Sequence, residues 1–145
     1  MSSIFTRIIQ REIPSHEVYR DDYVVAFLDI APLSRGHVLV VPIEEREYLH
    51  ELSEASARAL GSALPRIARA VMGATGATAY NVLQNNGSAA HQAVPHVHFH
   101  IIPKPAAGAG GGSGLGIHWQ PTQLNAHDAA TLADGIRAGC VGADS

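Results

Sequence analysis

A chain of 145 residues, 46% hydrophobic and 16% charged with a formal charge of −3, is long enough for one domain around its own core and too apolar to be disordered. The slightly acidic balance excludes a broad basic surface for nucleic acid, but leaves room for a single nucleotide in a local pocket. The lone Cys140 excludes an internal disulfide, and with no signal peptide and no membrane-spanning apolar run a soluble cytoplasmic protein is expected.

In chain order, Met1–Gln10 places Ile4, Phe5, Ile8 and Ile9 at helical spacing behind Ser2 or Ser3 as a cap, which predicts a short amphipathic helix ending before Glu12-Ile13-Pro14-Ser15. Val18–Arg20 reads as a short strand and Arg20-Asp21-Asp22 as a turn. Tyr23–Asp29 and His37–Pro42 read as buried strands joined by the loop Ala31–Gly36. Ser53 then caps a long helix with the stripe Ala57, Leu60, Leu64, Ile67, Ala68, Val71 and Met72. Pro65 is expected to kink or break it, and Gly73 and Gly76 to end it. Ala79–Gln84 is the next strand. It runs into the small, polar loop Asn85–Ala93, whose backbone N–H groups suit a phosphate. Ala106–Gly116 is glycine-rich and low in complexity, Trp119 follows, and Asn125–Ala138 reads as a weak capped helix.

The densest chemistry lies in Val94–Pro103, VPHVHFHIIP, where His96, His98 and His100 alternate with Val97, Phe99 and Ile101. On a β-strand the three imidazoles share one face and the apolar residues the other, a pattern no helix gives. Such a cluster suits metal ligation, or covalent catalysis in which one ring attacks and the others handle protons.

The stretch His96-Val97-His98-Phe99-His100-Ile101-Ile102 matches the His-φ-His-φ-His-φ-φ signature, with φ apolar, and the chain resembles the histidine triad family of nucleotide hydrolases and transferases. Similar segments recur in family order from about residue 4 to 120: Ile13-Pro14-Ser15, the VYRDD turn, Ala26–Ile30, Gly36–Pro42, Asn85-Asn86-Gly87, and Gly114-Leu115-Gly116 with Trp119. The last of these is similar to the small bacterial Hint-like branch.

The resemblance implies that His98 attacks the α-phosphorus of a nucleotide to form a nucleotidyl-histidine that water hydrolyses. His100 would bind the phosphate and assist the leaving group. His96 would support the imidazole network, and His37 would be its fourth histidine. It places Gln92 beside the scissile phosphate, and Asn85, His91 and the Gln92–Ala93 backbone around the phosphate pocket. Asp29 would accept the ribose hydroxyls, with Phe5, Ile8, Phe27 and Ile30 walling a purine base. The implied activity is release of AMP or GMP from a phosphoramidate or phosphoanhydride, as in an adenosine 5′-monophosphoramidase or a dinucleoside polyphosphate hydrolase. No cofactor is implied.

Two departures stand out. His91 occupies a position often held by glycine, and Ala93 one often held by a hydroxyl residue. In addition, Ser3 and Thr6 stand where many bacterial members carry C-x-x-C, and Glu45 where they carry a histidine, so no structural zinc is expected. The expected fold is α+β: an antiparallel meander of about five strands with one main helix and a short N-terminal one. It forms a single domain over residues 1–145, its core about 4–105, with 106–145 a glycine-rich segment and tail. The family usually forms homodimers, and Trp119 either packs in its own subunit or reaches the partner's site. Two other readings remain: a metal-dependent enzyme on His96, His98 and His100, and a non-catalytic purine-nucleotide-binding scaffold.

Overall fold

The computed structural model describes residues 2–106 and 112–141. The chain runs α1 (Ile4–Ile9), β1 (Glu17–Arg20), β2 (Val24–Leu28), β3 (Val38–Pro42), α2 (Glu54–Thr75), β4 (Ala79–Gln84), β5 (Phe99–Lys104) and α3 (Ala126–Val141), with 3-10 turns at Leu49–Glu51 and Ser88–Ala90. Five antiparallel strands form one sheet in the order β1-β2-β3-β5-β4. The first three strands follow one another as a meander. After the α2 crossover β4 takes the outer edge, and β5 returns between it and β3.

Both faces of the central strands are covered, which is why β2 and β3 read as unbroken apolar runs rather than alternating ones. On one face α2 lays Leu60, Ala63, Ile67, Ala68 and Val71 against Val24, Ala26, Val38, Val40 and Ile101. On the other, Phe5 and Ile9 of α1 pack on Val25, Phe27, Leu39 and Val41. A six-residue helix is too short to persist alone. It is held by this packing and by Ser3, whose Oγ accepts the Thr6 N–H at 3.0 Å.

Pro65 does not break α2, which runs as one helix of 22 residues from its Ser53 cap to Gly76 in the left-handed conformation. One lost backbone hydrogen bond is outweighed by apolar burial on both sides of it, at Leu60 and Ala63 before and Ile67 and Val71 after. The buried stripe also differs from the expected one, since Ala57 is exposed and Ala63 and Ser56 are buried instead.

The histidine strand is shorter than its sequence suggests. β5 begins at Phe99, so only His100 of the three histidines lies in the sheet; His98 precedes it and His96 occupies a bend. Pro103, expected as the strand's end, lies inside it opposite Tyr80. Proline is tolerated there because β3 pairs with β5 only from Phe99 to Ile101, leaving that side of Pro103 without a ladder partner. Its carbonyl accepts from Ser34 Oγ at 2.6 Å.

Of the glycine-rich segment, residues 107–111 lie outside the described residues, but Gly112 bridges Ser34 and the Gly114 N–H reaches the Leu33 carbonyl at 3.1 Å. Gly112 has φ +88°, and a Cβ there would meet the Leu33 oxygen at 2.3 Å, so only glycine fits. Asn125 caps α3 through the Asp128 N–H, as expected, and the helix extends to Val141.

Candidate active site

The strand register builds the site. Leu39 of β3 pairs with His100 of β5, so the histidine just before β3, His37, comes beside His100. Alternation along β5 sends Phe99 and Ile101 toward α2 and His100 to the face covered by α1. There Phe5 stacks edge-on against His98 at 4.9 Å between ring centroids, and His98 lies 5.0 Å from His100.

Hydrogen bonds fix the proton on each ring. The Leu33 N–H donates to His37 Nδ1 at 3.0 Å, so the His37 proton sits on Nε2. That Nε2–H donates to His100 Nδ1 at 2.9 Å, which leaves the His100 proton on its own Nε2. His98 Nδ1–H donates to the His96 carbonyl at 2.7 Å, leaving a lone pair on His98 Nε2. His96 donates from Nε2 to the Pro42 carbonyl at 2.8 Å and accepts the Ser3 hydroxyl proton at Nδ1, at 2.6 Å. With the rings neutral, as burial favours, these bonds assign each a single tautomer.

Burial is the main reason they stay neutral, because it disfavours the charged form. It lowers His37 against the opposing Asp29 carboxylate, and His96 against the Pro42 carbonyl and Glu45. It lowers His98 against the His96 carbonyl and Asp29. His100 is lowered to about 4 by burial and by repulsion from the His98 and His37 rings. Asp29 stands at the edge of the cluster, its Oδ1 accepting the Ala31 N–H at 2.8 Å and its Oδ2 3.5 Å from His37 Nε2.

Other expected site residues fall into three groups. Phe5, Ile8 and Phe27 share one apolar cluster, whereas Ile30 is 90% exposed and outside it. Asn85 Nδ2 donates to the His91 carbonyl at 3.3 Å, and His91 holds the left-handed conformation at φ +70°. Gln92 is committed at both ends of its amide: Oε1 accepts the Gly87 N–H and Nε2 donates to the Glu47 carbonyl, each at 2.7 Å.

The loop is less open than its small residues suggest. The N–H groups of Ala90, His91 and Gln92 bond the Gly87 and Ser88 carbonyls, because the 3-10 turn closes on itself. Ala93, also expected at the pocket, follows this turn and is exposed.

Two donor sets come near the arrangement a metal needs. Asp29, His37 and His100 each offer an atom within 4.8 Å of the others. The Leu33 N–H, however, keeps a proton on the His37 nitrogen that faces them, so it has no lone pair to give. The triad itself does not converge as ligands, since both His96 nitrogens and His98 Nδ1 are bonded elsewhere. The second set brings Ser3, Thr6 and Glu45, the three positions without the expected zinc ligands, together with His96. Two neutral hydroxyls, each giving its proton to a neighbour, do not replace the thiolates a structural zinc takes.

Residues 10–107 match the HIT domain. The chain is 41% identical to the adenosine 5′-monophosphoramidase hnt1 of Schizosaccharomyces pombe over 94% of its own length and 96% of the relative's. It is likewise 41% identical to the adenylylsulfatase HINT3 of Arabidopsis thaliana, covering 70% of this chain and 51% of that one. The crystal structure of a HIT family member from Bacillus subtilis superposes with a TM-score of 0.86 at 35% identity, covering 95% of this chain and 96% of that one. The neutral histidine cluster, the sheet that carries it and these matches together make the chain a member of the HIT domain family.

Proposed function

We propose that the protein is a nucleotide hydrolase that releases AMP or GMP from a phosphoramidate or phosphoanhydride through a covalent nucleotidyl-histidine. The observation that carries this reading is His98, a neutral imidazole whose Nδ1–H is spent on the His96 carbonyl so that the Nε2 lone pair is free to attack. His98 Nε2 bonds to the α-phosphorus, the leaving group departs with the electron pair of its bond, and water then displaces the histidine. His100, held by His37 with its proton on Nε2, donates to a phosphate oxygen and assists the departure.

Asp29 takes the ribose hydroxyls with its remaining acceptor sites. The base lies against Phe5, Ile8 and Phe27, with exposed Ile30 at its outer edge. Asn85, His91 and Ala93 line the phosphate side. Gln92, bound to Gly87 and Glu47, braces that loop in its present form. His96 works through its backbone carbonyl and stays within the core.

The reading takes residues 1–145 as one domain with a tail from 106, acting on single nucleotides in the cytoplasm as a homodimer. Among the described residues no helix is long and apolar enough to cross a membrane. The outer strand β4 exposes Tyr80 and Val82, and the tail exposes Trp119, at 82%, with Leu132 and Ile136. These apolar groups support a second copy as their cover, and the exposure of Trp119 favours its reaching the partner's site over packing in its own subunit.

The direct test is release of AMP from adenosine 5′-phosphoramidate with a chelator present. Undiminished turnover is expected; activity that returns only with added metal would overturn the mechanism. Asp29→Ala should raise KM about tenfold with kcat little changed, and an unchanged affinity for AMP would place the ribose elsewhere.

A further inference from the structure

Glu45 sits on the exposed loop after β3 and reaches α1 at two points. Its Oε1 accepts the Ser3 N–H at 2.9 Å and the Thr6 hydroxyl at 2.5 Å. α1 carries no acidic residue in its first turn, so this carboxylate supplies the negative charge its N-terminus favours.

Proton counting makes the arrangement directional. The Thr6 hydroxyl proton is given to Glu45, and the Ser3 hydroxyl proton must go to His96 Nδ1, because His96 Nε2 already donates to the Pro42 carbonyl. The 3.4 Å approach of Ser3 Oγ to Thr6 Oγ1 is then left without a proton of its own. Between Ser3 and Thr6 in the chain lies Phe5, whose ring touches both His96, at 5.9 Å, and His98, at 4.9 Å. The same His96 gives His98 its only fixed acceptor, the backbone carbonyl at 2.7 Å.

We infer that Glu45 is a positioning residue for His98: by clamping Ser3 and Thr6 it holds the Ser3 proton on His96 and the Phe5 ring against the attacking imidazole. It acts through two chains of contact, Glu45–Ser3–His96–His98 and Glu45–Thr6–Phe5–His98, and touches no substrate itself. The hydrogen-bonded clasp adds to the apolar packing that docks this six-residue helix beside the histidine cluster. The inference rests on the assignment of His98 as nucleophile.

The test compares Glu45→Ala, Glu45→Gln, Ser3→Ala and the double Glu45→Ala/Ser3→Ala variant with wild type, in turnover of adenosine 5′-phosphoramidate and in melting temperature. Glu45→Ala should lower kcat about tenfold and leave KM within about threefold, because the clasp orients the attacking ring rather than the bound nucleotide. Glu45→Gln keeps an acceptor oxygen and should recover to within about threefold of wild type. The double variant should be no slower than the slower single one, since Glu45→Ala already cuts both chains of contact, the one through Ser3 included.

A long-range proton–nitrogen spectrum gives a readout that does not depend on turnover. The protected His98 Nδ1–H signal of wild type should exchange faster in Glu45→Ala and return in Glu45→Gln. The inference is overturned by a wild-type kcat in Glu45→Ala, by additive losses in the double variant, or by an unaltered His98 signal. A wild-type protein that shows this pattern in the spectrum but no turnover would instead count against the hydrolase reading alone.

Discussion

Replacing His98 with alanine is expected to lower AMP release by at least about a thousandfold while AMP affinity stays within about tenfold of wild type. The asymmetry follows from where the contacts lie. His98 offers the one ring nitrogen of the cluster that structure leaves as a lone pair, for its partner nitrogen donates to the His96 carbonyl. His37 and His96 have both nitrogens engaged, and His100 accepts from His37 and presents a proton. No neighbour can take over the attack without giving up a hydrogen bond. The proposed base and ribose contacts, in contrast, fall on Phe5, Phe27 and Asp29, which the substitution leaves in place. Rapid-mixing kinetics on both proteins, with AMP binding measured by calorimetry, would check it. A variant that keeps turnover within tenfold would remove His98 as the nucleophile.

The sequence made the chemistry legible because it is written in short-range terms. Alternation around His98 and His100 announces a shared face, and the strand from Val38 carries its preceding histidine to a definite neighbour. Ala79–Gln84 and the Ser53 cap could be read to the residue, since period and capping are local properties. What stayed hidden depends on distant backbone. The tautomer of His37 is set by the N–H of Leu33, four residues earlier across a loop, and that of His96 by the carbonyl of Pro42. No side-chain pattern encodes either contact. The motif places Gln92 beside the scissile phosphate, but that its amide bridges Gly87 and Glu47, a contact across 45 residues, is nowhere written in it. Ser3, Thr6 and Glu45 were visible as departures from a ligand set. The spacing S-x-x-T followed by an acid after a buried strand was the signal that they still meet.

Folding stability should fall steeply as the pH drops from about 6.5 toward 4, before ordinary carboxylates titrate. His37, His96, His98 and His100 all have folded-state pKa values below the unfolded value, chiefly through burial, and His100 lies at about 4. A base with a lowered pKa binds fewer protons when folded, so unfolding takes protons up and acid favours it. The contribution of these rings is therefore fully present above the unfolded pKa of about 6.5 and is lost as the pH falls through the window below it. Each proton taken up is worth about 1.4 kcal/mol per pH unit, and several rings acting together steepen the limb. The geometry reinforces the sign. A proton added to His100 Nδ1 would face the His37 Nε2–H, and one added to His37 Nδ1 would face the Leu33 N–H, so each protonation turns a hydrogen bond into a contact between two donors. Urea unfolding at half-unit steps from pH 7.5 to 4.5 should show a plateau above pH 7 and a steep limb beneath it. His100→Asn, which cannot take up a proton, should flatten that limb by about one proton's worth. Stability that stays level between pH 7 and 5 would mean that the rings titrate freely in the folded protein, and would undo the fixed tautomers on which attack by His98 depends.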